Sequence, residues 1–143
     1  MSAESTYDQQ RTAVPWISIL VASIISIVVS MIANLIVRSI GLAVFDISDD
    51  FEPLATVGPV IMASFMYGII ATIAFTITRY FARDIRRTWL IVAGIGLVVS
   101  FIPPLLQLTL ENSSAAAVVL LMIMHLVAAA VFVPLMLRFA GED

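Results

Sequence analysis

Cysteine is absent from this 143-residue chain, which excludes disulfides, thiolate metal sites and thiol redox chemistry together. Lysine is absent too, leaving seven arginines to carry the positive charge. Charged residues make up only 12% of the chain, about half the share usual in soluble domains, so a soluble globular fold is a poor match. The net charge of −3 is small, and no basic patch points to nucleic acid. Catalytic signatures are missing as well. There is no glycine-rich phosphate loop, no HExxH, no Ser/His/acid set with its acid in an apolar run, and no carboxylate pair there. No catalytic residue is assigned, and the chain is expected not to be an enzyme. Histidine occurs once, at His125, so an axial haem ligand would lack its second partner. No metal and no cofactor are expected.

What the chain does contain is four long apolar runs, at residues 16–37, 54–78, 88–110 and 115–137. None holds Asp, Glu, Lys or Arg. A helix rises about 1.5 Å per residue, so about 20 residues cross a hydrocarbon core of about 30 Å. A charge at the centre of such a helix costs roughly 2.5 to 3.5 kcal/mol on insertion scales, which explains why the runs are clean. The first run is about twice the length of a usual signal-peptide core and no small-residue cleavage site follows it, so it is read as a retained helix. The expected fold is all-α: one integral membrane domain over residues 1–143. The short links make it an antiparallel, up-down-up-down four-helix bundle.

Arginine alone sets the expected orientation. Four spans put the two ends and the middle link on one side, with Arg11, Arg79, Arg83, Arg86, Arg87 and Arg138, against Arg38 alone on the other. Positive charge favours the cytoplasm, so both termini are expected inside the cell. Trp16 and Trp89 then fall at the inner interface, where indole rings prefer to sit, with Tyr80 and Phe81 joining the belt. The outer links are residues 38–53 and a tight turn at 111–114, where Asn112, Ser113 and Ser114 can cap the last helix.

Within the runs, polar residues recur at helical spacing. Ser26, Ser30, Asn34 and Arg38 lie four residues apart, with Ser23 beside them, and so share one face. Lipid offers no hydrogen bonds, so that face is expected to pack on neighbouring helices, or else to line a cavity. Arg38 is expected to pair with Asp46 or a neighbour, or to snorkel to headgroups. Ser64, Gly68, Thr72 and Thr76 form a second stripe of small residues suited to close helix packing, within the chain or between copies. Pro103 and Pro104 remove the bonds that the Val99 and Ser100 carbonyls would accept, so a kink is expected in the third run. Pro134 does the same to Ala130 in the fourth. His125 lies mid-run, level with Ser30, Tyr67 and Ser100 by residue count. An imidazole there either knits helices together by hydrogen bonds to these groups or contacts a ligand.

Two charged segments remain. Asp46, Asp49, Asp50 and Glu52 fail the EF-hand pattern because Phe51 replaces the turn glycine, so a solvated loop is expected. Arg79, Arg83, Arg86 and Arg87 suit anionic lipid headgroups, each worth about 1 kcal/mol at a charged surface.

Several of these residues together resemble one family. Asn34, the pair Gly58 and Pro59, the stretch 79–89, the stretch Met-His-Leu-Val-Ala-Ala-Ala at 124–130 and Pro134 resemble the domain-of-unknown-function 6069 family. Its members are small four-helix membrane proteins, mainly of actinobacteria and related bacteria. The resemblance covers residues from about 14 to 139 and implies a prokaryotic cytoplasmic-membrane protein, with Asn34 and His125 at matching positions. It implies no activity. The role read from the chain is that of a non-enzymatic accessory or interaction subunit acting through helix packing. Its partners would be the lipid bilayer and another membrane protein or further copies of itself. The alternative is a small-solute carrier or ligand-binding protein with a polar midplane cavity at Ser30, Asn34, Tyr67, Ser100 and His125. A dry, fully packed interior favours the first and an internal polar cavity at midplane depth the second.

Overall fold

The computed structural model describes residues 16–111 and 113–140. Arg11 and Asn112, given roles in topology and capping above, lie outside the described residues. The described chain is helical with no strand: α1 (Trp16–Val44), α2 (Glu52–Ala55), α3 (Val57–Phe81), α4 (Ile85–Ser100), α5 (Ile102–Leu106) and α6 (Ala115–Ala140). A single 3-10 turn, Gln107–Thr109, follows α5. Four segments are long and apolar enough to cross a membrane: α1, α3, α6 and Ile85–Thr109, which joins α4 to α5 and the turn.

Local chemistry explains where each helix starts and stops. The Asp84 carboxylate accepts from the Arg87 N–H at 2.9 Å, capping α4 immediately after the turn that ends α3. Ser114 accepts from the Ala117 N–H at 3.1 Å and opens α6. In the third span the helix stops at Ser100 and restarts at Ile102. Pro103 and Pro104 have no N–H to return to the preceding turn, whereas in the first turn of a new helix that loss is harmless.

The first span departs from expectation. Its helix runs on past residue 38 to Val44, so the outer link is shorter than read. Arg38 does not pair with Asp46. Its Nε and Nη2 donate to the Leu54 carbonyl at 3.0 and 2.6 Å, and Nη2 reaches Ala55 at 3.1 Å. Those carbonyls end the short helix α2 and have no partner within it, so a cation there satisfies them and meets the negative end of the helix. The outer loop is also not simply solvated. Phe51 and Leu54 are buried and pack with Val60, Ala117, Leu120 and Met124, while Asp46, Asp49 and Asp50 stay exposed.

Around the bundle the spans follow the order α1, α3, α4, α6, and α6 closes back on α1. The α1–α6 seam is the most extensive contact, and α1–α3 is next. Glycines set both approaches: a Cβ at Gly41 would collide with the Leu120 side chain, and one at Gly68 with Ile27. The Ser64–Gly68–Thr72 stripe therefore packs within the chain. Thr72 and Thr76 return their hydroxyls to the carbonyls of Gly68 and Thr72. At the arginine-rich end a second cluster gathers Ile19, Ala22, Phe75, Trp89, Phe132 and Met136.

Trp89 corrects a further expectation. Trp16 is 70% exposed and suits an interfacial belt, but Trp89 is 2% exposed. Its ring meets Phe75 edge-on at 5.1 Å, and its Nε1 donates to the Val133 carbonyl at 3.4 Å. It is a core residue that pins the third span to both neighbours. Outside, Ile, Leu, Val and Phe side chains cover all four spans. Water would not tolerate so large an apolar surface. The chain is a multi-pass membrane protein.

Candidate functional site

Because α3 and α6 hardly touch, the middle of the bundle is open. A cavity of about 840 Å³ lies between α3, α4 and α6 with α1 as its floor. The structure places Ser30, Asn34, Tyr67, Ser100 and His125 all on its wall. Helix spacing produces this meeting: Ser30 and Asn34 share the buried stripe of α1 with Ser23 and Ser26.

The five residues do not form the hydrogen-bond network that would knit the helices. His125 Nδ1 bonds the Leu121 carbonyl of its own helix at 2.7 Å. Ser100 donates to Leu97 at 2.7 Å, also within its helix. Tyr67 meets the imidazole ring edge-on, 5.3 Å between centroids. Phe101, at the proline-enforced break, also lies edge-on to it, 6.4 Å between centroids. The one polar contact between helices in this group is Asn34 Nδ2 to Ser64 Oγ at 3.2 Å. Ser23 returns its hydroxyl to Ile19 and lies 3.8 Å from the Met136 sulfur.

Buried polar atoms are left over. Ser26 Oγ, Ser30 Oγ, Asn34 Oδ1 and His125 Nε2 are enclosed without a hydrogen-bond partner. A carbonyl only accepts, so His125 Nδ1 carries a proton, and in the tautomer with that single ring proton Nε2 presents a lone pair. Each such unpaired group costs about 1 to 3 kcal/mol, which an incoming partner would relieve.

Chemistry is segregated along the cavity. Toward the arginine-rich end its wall is apolar: Ala71, Ala74, Trp89, Val92, Ala93 and Val133. From the level of Tyr67 outward it carries the polar set, with Thr56 and Glu52 at the mouth. A family model for a family of unknown function, DUF6069, matches residues 10–142. The chain belongs to that family. Neither a curated protein nor a solved structure gives a match.

Other singled-out residues of this DUF6069 chain lie away from the cavity. Arg79, Arg83, Arg86 and Arg87 gather at one end of the bundle, around the turn between α3 and α4. Pro103 and Pro104 shape the third span without lining the cavity, Pro104 being buried. Among the described residues, no group of three or more His, Asp or Glu stands ready to hold a metal ion. Trp89, Gly96 and Phe101 went unnoticed in the sequence as parts of this region. Phe101 had a signal, its place beside Ser100, which counting puts level with His125, and two residues before a proline pair.

Proposed function

We propose that this protein is a non-enzymatic, ligand-holding membrane protein that keeps a small, largely apolar molecule inside its bundle. The observation that carries the reading is the cavity itself. Its volume lies in the range of about 300 to 1,000 Å³ usual for small-molecule sites, and it is mostly apolar with a few convergent polar groups. A fully packed interior would have favoured the accessory-subunit role instead. The bilayer is a prokaryotic cytoplasmic membrane in this reading, with the arginine-rich end and both termini facing the cytoplasm. The count of arginines at that end supports this.

Native mass spectrometry from mild detergent tests the proposal. Wild-type protein is expected to retain a bound molecule. Gly96 lines the cavity, and a Cβ added there meets nothing within 4 Å, so Gly96→Leu has room to enter the space. That variant is expected to remain folded and to lose the molecule. Retention of the same molecule by wild type and Gly96→Leu alike would place it outside the cavity and end the proposal.

A further inference from the structure

The cavity constrains the chemistry of its occupant as well as its size. We infer, building on the ligand-holding reading, that the occupant is an uncharged amphiphile. Its polar head donates hydrogen bonds at the level of His125 and Asn34, and its apolar tail runs toward Trp89.

The head is uncharged because no Asp, Glu, Lys or Arg stands on the wall at that level. An ion there would be buried without a partner, which is strongly disfavoured. Glu52, the one acid on the cavity lining, further disfavours an anion. The head is a donor because the two strongest unpaired groups accept. His125 Nε2 offers a lone pair once Nδ1 is committed to Leu121, and Asn34 Oδ1 is left over once its Nδ2 is committed to Ser64. The Ser30 hydroxyl can serve as either. These atoms are enclosed in the empty protein, with Tyr67 and Phe101 edge-on against the imidazole. A head group reaches Nε2 when the Tyr67 ring turns aside, exchanging a ring-edge contact for a stronger hydrogen bond.

The tail direction follows from the segregated wall. From His125 to Val133, whose carbonyl holds the Trp89 ring, is about 12 Å along the helix, and the lining between them is apolar. A hydroxyl, or an amide bearing N–H, on a chain of medium length satisfies each condition.

The experiment uses the full chain in lipid nanodiscs with Trp16→Phe, which leaves Trp89 as the only indole. Three probes are titrated: ω-bromododecanol, its methyl ether and ω-bromododecanoate, each with the bromine quencher at the tail end. The alcohol is expected to quench Trp89 saturably. The ether, which cannot donate, and the anionic carboxylate are expected to need at least about ten-fold higher mole fraction. His125→Leu and, separately, Asn34→Leu are expected to shrink the alcohol's advantage over the ether measured in the same variant. Equal saturable quenching by alcohol and ether would overturn the donor requirement but leave the cavity reading standing. Tightest binding by the carboxylate would overturn the uncharged head in the same way. An advantage untouched by both variants would remove the head group from this site. Quenching that never saturates for any probe would defeat the ligand-holding reading along with the inference.

Discussion

The first and third spans are both apolar helices dotted with small residues, yet the bundle treats them differently. In α1, 39% of the most apolar stretch is buried; in the third span the share is 11%. Spacing explains the contrast. Ser26, Ser30 and Asn34 recur every four residues, so they stack on one face and let α3 and α6 approach along its length. Gly94 and Gly96 are two residues apart, and so point to different sides of α4 and can form no seam. The third span is held by a large residue instead. Trp89 fixes its arginine-rich end against Phe75 and Val133, the helix breaks at Phe101, and α5 and the turn after it meet α6 again, leaving the cavity between the two ends. Small residues at the right interval build a close wall. A helix held at its ends and broken between them builds a cleft.

Three substitutions probe that contrast. Trp89→Ala removes the anchor and should have the largest effect, a loss of roughly 3 to 5 kcal/mol in reversible unfolding from mixed micelles. Unchanged stability would mean that the third span is not fixed by Trp89 at all. Gly68→Ala drives a methyl into Ile27 across the α1–α3 contact and should cost roughly 1 to 3 kcal/mol in the same assay. Gly96→Ala is the counterpart on the loose helix. With nothing near its added methyl, it should stabilise by about 0.5 to 1 kcal/mol through reduced backbone freedom. The opposite signs of the two glycine changes are the sharpest form of the comparison, and like signs would break it.

Much of the fold was legible before any coordinates. Four clean apolar runs become four helices of spanning length, because composition and length alone decide whether a segment suits a bilayer. The α1 stripe was legible as a face for the same periodic reason. The errors share one cause as well. Arg38 was expected to pair with Asp46 or a neighbour, or to snorkel to headgroups, but its guanidinium finds the carbonyl end of α2, a short helix with no strong signal of its own. Trp89 was assigned by residue type to the membrane interface, yet Phe75 and Val133, distant in sequence, bury it. The midplane residues were placed at one level by counting. Counting could not show that Ser100 and His125 bond within their own helices and so leave a cavity wall rather than a network.

By itself, then, the amino-acid order determined how many times the chain can cross a bilayer and which faces of its helices seek company, since both depend on a residue and its near neighbours. The tertiary structure alone decided that the company is incomplete. Whether α3 and α6 close on each other depends on the summed bulk of residues from four helices, and so does the fate of the Nε2 lone pair of His125. Separations of that kind are set across the bundle and not along the chain.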